Sequence, residues 1–306
     1  MKFWNTGAEG QILVGGLVTA AMMIYLGDKL PSGVILLLSF VGSAIAGAIW
    51  GFIPAYFKAR YNTNETLFTL MMNYVGIQIV EFFVDVWDKK QSHSVGVINA
   101  TNQAGWFPAI FGQQYLLNII IVAVLTVLMF IYLKHTKHGY EISVVGESEN
   151  TARYAGIDVA KVTLRTMLIS GAICGLCGFI TVAGNQHTIA TNTAAGNGFT
   201  AIIVAWLAKF NTFTMALISF LLVFLEKGAG QIASTYGLNE YIADIISGIT
   251  DSVCDMFGFI SGVHHAQSAD HQFFGSDTGH DSHSHSPVKA KRLKNGLDGL
   301  ADLTDI

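Results

Sequence analysis

Apolar residues in this chain fall in long runs separated by short polar punctuation, the spacing of membrane-crossing helices rather than of soluble amphipathic ones. The runs at 104–133 and 166–208 contain no Asp, Glu, Lys or Arg. Bounding each run by charge or turn residues gives segments at 10–26, 33–57, 66–83, 115–133 and 163–183. A short segment follows at 199–208, another at 213–225 that is also short, and a weak one at 240–260. Crossing about 30 Å of hydrocarbon takes roughly 20 helical residues at about 1.5 Å each. The 199–208 run cannot do that, so it is expected to re-enter, with the glycine-rich AAGNGF ahead of it making the turn.

The pattern therefore predicts an all-α, polytopic membrane bundle with broken or re-entrant helices over residues 1–262. From 263 to 306 the chain turns polar and loses periodicity, which predicts a disordered tail. Six of the ten histidines lie between His264 and His285. Neutral imidazoles bind metals weakly, but a solvated low-complexity tail accounts for them, and no metal site is assigned. Lys2 ahead of the first run looks faintly like a secretory leader; Glu9 just before that run makes it part of the mature membrane domain.

Composition strengthens this picture. Of 306 residues 52% are hydrophobic and only 12% charged, against about 25% charged in soluble domains. Mean hydropathy is +0.48. A net charge of −4 leaves no footprint for nucleic acid, and three cysteines give no disulfide framework. Basic residues set the orientation. Lys58 and Arg60 sit in one loop and Lys134, Lys137, Arg153, Lys161 and Arg165 in another, with two segments between them, so both loops are expected in the cytoplasm.

Polar residues at membrane depth are expensive and mark function or interhelical contact. Asn5, Glu9 and Gln11 stand at the head of the first run, to line a path or to cap a broken helix. Asn62 or Asn64 is placed to cap the next-but-one helix. Asn73 shares a face with Thr66, Thr69 and Leu70, either as a polar stripe along a cavity or as interhelical hydrogen bonds. Cys174 and Cys177, in GAICGLCGF, read as small residues for close helix packing.

Charge is concentrated in a loop-like stretch at 139–156, GYEISVVGESENTARYAG. Within it a short helix is expected to start near Ser148 or Asn150, its acidic first turn suiting the helix dipole, and to end at Gly156. So short a helix is marginal alone, which points to docking on a partner. Known catalytic signatures are absent: no GxxxxGK[ST], no G-x-S-x-G, no H-E-x-x-H. No cofactor is implied. A secondary transporter coupled to ions stands as the alternative reading, with Glu9, Glu81 and Asp85 as its candidate coupling residues.

Five stretches, in order, resemble the permease subunits of bacterial ABC importers of the branched-chain amino acid, ribose and nucleoside type, most closely the simple-sugar and nucleoside branch served by a basic-membrane-protein-like lipoprotein. They are N-x-GAEGQ from Asn5, TNETLFTLMMNY from Thr63, VGESENTARYAGI from Val145, SGAICGLCG from Ser170 and GNGFTAIIVAWLAKFN from Gly196. The resemblance spans roughly residues 3–250. It implies that 145–157 is a coupling segment seated on a separate ATPase subunit, through Gly146, Glu147, Asn150, Ala152, Arg153, Tyr154, Ala155 and Gly156. It implies that the breaks around Asn5, Glu9 and Gln11, and around Gly198, Phe199 and Thr200, surround a translocation path with Asn73. Its expected partners are the ABC ATPase, a second permease subunit of the same or a related kind, an extracellular substrate-binding lipoprotein and the lipid bilayer of the plasma membrane. Family members carry further membrane helices ahead of the Asn5 motif and an apolar helix beyond Thr250, so the 306 residues are expected to hold part of a permease.

Overall fold

In the computed structural model the described residues are 5–88, 95–109, 112–113, 115–236 and 248. They form helices α1 (Ala8–Leu26), α2 (Ser32–Tyr61), α3 (Glu65–Trp87), α4 (Leu116–His135), α5 (Lys137–Glu147), α6 (Glu149–Tyr154), α7 (Val159–Thr181), α8 (Asn197–Leu207) and α9 (Thr212–Thr235). α7 continues as a π-turn over Val182–Gln186. Six helices are long and apolar enough to span: α1, α2, α3, α4, α7 with its π-turn, and α9. At 24 residues α9 corrects the expectation of a short segment at 213–225; Glu226 and Lys227 interrupt the apolar run without ending the helix. Apart from residue 248, the weak segment at 240–260 lies outside the described residues, as does the 263–306 tail.

The core is the contact of α1, α2 and α7, and small residues make it. α2 carries Ser39, Ser43, Gly47, Gly51 and Ala55 along one buried stripe at every fourth position. Ser43, Gly47 and Gly51 face Gly175, Gly171 and Met167 in reverse order, so α2 and α7 run antiparallel. A Cβ on Gly171 would be driven into the Gly47 carbonyl, and one on Gly175 into the Ser43 carbonyl. Gly15 of α1 meets Gly175 from the other side, and Gly178 meets Ile12 and Gly16. Between helices in a bilayer, where burial of apolar surface drives little, such close backbone approach is a main source of cohesion. Cys174 packs against this core and Cys177 is exposed, both as free thiols.

The antiparallel order places Lys58 and Arg60 at the same end of the bundle as the start of α7. That end is fastened by Lys58 Nζ to Glu65 Oε2 at 2.9 Å. Asn64 Oδ1 caps α3, accepting from Thr66 and Leu67 N–H, while Asn62 turns left-handed at φ 50° to end α2. At the opposite end the 95–109 segment folds onto the bundle. Asn99 donates to the Met23 and Ala104 carbonyls at 2.8 and 2.9 Å, satisfying the close of α1. Ile98 N–H donates to the His187 carbonyl at 2.8 Å. Trp106 stacks flat on His187, centroids 3.8 Å apart.

α4 differs in kind. None of its residues is buried, it has the highest mean hydropathy of the spans, 2.8, and its Thr126 hydroxyl donates back to the Val122 carbonyl of its own helix. This is a helix dressed for lipid.

Gly175→Leu should lower the thermal stability of the purified protein, by about 1–3 kcal/mol or more, as overpacked cores do. Gly33→Ala, where an added methyl meets open space, should leave it unchanged; a scan of unfolding temperature in detergent compares the two.

Candidate functional site

Two clusters emerge from the sequence-derived residues. The first is a junction where two helices begin inside the bundle. α1 starts at Ala8 after a Gly7 that offers no side-chain cap, so its first amide donors must find partners elsewhere. Asn73, projecting from α3, supplies one: its Oδ1 accepts from Gly10 N–H at 2.8 Å, and its Nδ2 donates to the Thr6 carbonyl at 2.6 Å. Thr6 in turn donates to the Thr66 carbonyl at 3.0 Å and lies 2.9 Å from the Thr69 hydroxyl. Asn73 stands about 12 Å along α3 from Glu65 at about 1.5 Å per residue, so this start lies well within the span.

α8 has the same problem and a matching solution. It starts after Gly196, which sits at φ 77° and has no side chain to cap with. Both carboxyl oxygens of Glu9 serve instead: Oε1 accepts from Gly196 N–H at 2.8 Å and Oε2 from Gly198 N–H at 2.9 Å. An acidic group at a helix N-terminus also offsets the partial positive charge there. Gly198 must be glycine, because a Cβ would lie 2.5 Å from the Glu9 nitrogen. Glu9 is only 8% exposed and Asn73 3%.

Asn5 and Gln11 close the junction toward α7 and α2. Their amides pair mutually, Asn5 Nδ2 to Gln11 Oε1 at 3.2 Å and Gln11 Nε2 to Asn5 Oδ1 at 3.3 Å. Asn5 Nδ2 also reaches Ser170 Oγ of α7 at 3.4 Å. Asn5, Glu9, Gln11, Asn73 and Gly198 thus meet as one network joining α1, α3, α7 and α8. Phe199 lies beside it but is 43% exposed, and the Thr200 hydroxyl donates back to the Gly196 carbonyl at 3.4 Å. Of the readings open for Glu9 and Asn73, the side chains are engaged as cap and interhelical bond. Thr6, Thr69 and Ser170 belong to the network too. Only Thr69 was legible, from its place on the Asn73 face.

The second cluster corrects an expectation. The 139–156 stretch is no loop but a helical hairpin, α5 turning at Ser148 into α6. Periodicity over so short a length hid α5; its Val145 buries with Ala152 of α6 against Val162 of α7, flanked by Ile142 and Ile157. Ser148 caps α6, accepting from Thr151 N–H at 3.3 Å. Gly156 at φ 78° ends it, its N–H donating to the Arg153 carbonyl. Gly146 and Glu147 form the last turn of α5. Asn150, Arg153 and Ala155 are exposed, and Tyr154 is 93% exposed. Ala152 faces inward and the others outward, toward whatever covers the hairpin.

The hairpin is riveted to α7 by Arg165 Nη2 donating to Glu141 Oε2 at 2.6 Å, with His138 at 3.6 Å. The Arg165 hydrogen bond holds the Glu141 carboxyl below its ordinary value of 4.5, so the pair stays ionised at neutral pH. On α7, Arg165 and the Ser170 of the junction are roughly 8 Å apart along the axis at about 1.5 Å per residue. One rigid helix therefore ties hairpin and junction together. Among the described residues no group of His, Cys, Asp and Glu is arranged to hold a metal, and nothing here assembles a nucleophile with a base.

Comparison with known families decides what this frame is. Residues 1–250 match the branched-chain amino acid transport system / permease component. The chain belongs to that permease family. Similar proteins include the guanosine ABC transporter permease protein NupP of Bacillus subtilis, 32% identical over 80% of this chain and 71% of its own length. The glucose ABC transporter permease protein TsgB13 of Haloferax volcanii is 25% identical over 80% of this chain and 67% of its own. The nucleoside ABC transporter permease protein NupB of Lactococcus lactis is 26% identical over 74% of this chain and 65% of its own. No solved structure is significantly similar to the chain. The protein is a permease subunit of an ABC importer in the simple-sugar and nucleoside branch, a multi-pass protein of the bacterial plasma membrane. Family membership sets the ion-coupled alternative aside, and Glu9, one of its candidates, is engaged with two backbone amides.

Glu9→Gln replaces one accepting oxygen by an amide nitrogen facing a glycine N–H. It should destabilise the protein by about 1–3 kcal/mol, the cost of a buried donor left unsatisfied, read as a lowered unfolding temperature. A variant as stable as the parent would remove Glu9 from the role of cap.

Proposed function

We propose that the chain forms one half of a nucleoside path, driven by a separate ATPase that presses on the α5–α6 hairpin. What supports this most is the hairpin's form. It buries Val145 and Ala152 against α7 yet presents Asn150, Arg153, Tyr154 and Ala155 outward, on a helix too short to stand without a cover. The ATPase groove is the cover. Closure of two ATPase subunits moves the hairpin, the Glu141–Arg165 rivet passes the movement to α7, and α7 carries it to the junction at Ser170.

The junction borders the path. Asn5, Glu9, Gln11, Asn73 and Gly198 hold the two broken helices in place, while Phe199 and Thr200 stand at its exposed edge. A second permease subunit completes the path, and an extracellular binding protein delivers the solute. Nucleoside is favoured as cargo because two of the relatives named above are guanosine and nucleoside permeases; a simple sugar is the competing cargo, from the glucose relative.

Arg153→Glu reverses an exposed charge without touching the buried face of the hairpin. It should weaken copurification of the ATPase at least about tenfold, equivalent to about 1.4 kcal/mol, and lower guanosine uptake in parallel, with unchanged folding. Normal ATPase binding by that variant would dismiss the hairpin as the coupling element.

A further inference from the structure

The face of α3 turned away from the bundle is wrong for lipid. Thr69, Asn73, Gly76, Val80 and Val84 are buried, and the Asn73 and Thr69 bonds to the α1 start fix which side of α3 faces in. The outward side therefore follows without freedom to rotate. It bears Met71, Tyr74, Gln78, Glu81 and Asp85 at alternating spacings of three and four that keep one straight stripe, with Phe82 next to Glu81, all exposed. Gln78 donates to Glu81 Oε2 at 3.0 Å. Gln78 stands roughly 20 Å from Glu65 and roughly 13 Å from Trp87 along the axis at about 1.5 Å per residue, close to mid-span. Glu81 is one turn further out.

An amide and a carboxyl group at that depth face water or protein, not hydrocarbon. α4 supplies the contrast: with none of its residues buried, it shows lipid an almost wholly apolar surface. Beside the stripe lies an open, almost wholly apolar groove of about 430 Å³ lined by Tyr74, Val75, Gln78, Ile79, Phe82 and Phe83. Aromatic rings offer stacking to the face of a base, and a glutamine amide offers paired hydrogen bonds to a base edge. The Glu81 carboxyl adds an acceptor for ribose hydroxyls or ring N–H groups. The Glu81 carboxyl on this face disfavours a phosphorylated solute.

We propose that this face of α3, with Tyr74, Gln78, Glu81 and Phe82, lines the water-filled path, α3 itself standing between the path and the Asn73 side of the junction, and contacts the nucleoside in transit. The proposal rests on the nucleoside reading for its ligand and on the burial pattern for its location, and the two separate experimentally. In the complete transporter, with Cys174, Cys177 and Cys254 replaced by alanine, Gln78→Cys is reacted with a membrane-impermeant charged thiol reagent. Tyr74→Cys serves as a second probe of the same face, and Val124→Cys on α4 as the lipid-facing control. Labelling at 78 or 74 at least about tenfold faster than at 124 is expected from the difference between solvated and lipid surroundings, and guanosine should slow it several-fold while guanosine monophosphate does not. Fast labelling slowed by glucose and not by guanosine would keep the path and overturn the nucleoside assignment. Labelling as slow as at 124, or cross-linking of position 78 to a second permease chain without labelling, would overturn the path itself.

Discussion

A backbone amide inside a bilayer has no water to bond, so a helix that begins there needs a partner for every donor it exposes. This constraint organises the protein. α1 and α8 both begin behind glycines that cannot cap them, and the missing acceptors come from other elements: Asn73 on α3 for Gly10, and Glu9 on α1 for Gly196 and Gly198. Because each cap is borrowed, each broken helix is tied to a neighbour. The breaks, which alone would weaken the fold, become the points where four helices are joined.

The joints then set everything outward of them. Fastening α3 through Thr69 and Asn73 determines that Gln78 and Glu81 face away from the bundle. Fastening Asn5 to Ser170 brings α7 into the same network, and α7 extends to Arg165, where the α5–α6 hairpin is held. The glycine contacts of α2 with α7 and α1 supply the stiffness, since backbones in van der Waals contact have little room to slide. On the proposed reading, a push on the α5–α6 hairpin would reach the broken-helix junction along one helix.

Much of this was legible in the chain. Long uncharged runs gave the membrane spans, the brevity of 199–208 gave the broken helix, and Asn64 and Ser148 are caps by residue type and position. The helix over 137–147 was hidden because its apolar residues, Ile142 and Val145 among them, are too few to show a period, and it is burial on α7 that selects the helix. The partners of Glu9 were beyond sequence, as Gly196 lies 187 residues away. Side-chain type announced that Glu9 and Asn73 needed partners, but only the packing of α1 against α3 and α8 says which. The acidic and amide positions of α3 became informative once the opposite face was seen to be locked.

Hydrogen exchange at the junction tests the borrowed caps most directly. In the detergent-solubilised protein, the amides of Gly10, Gly196 and Gly198 should exchange as slowly as those in the middle of α7, and those at Gly196 and Gly198 should speed up when Glu9 is replaced by glutamine. If these glycines exchange as fast as the exposed residues 153–155 in the unaltered protein, the two helix starts are solvated and the network described here does not hold them.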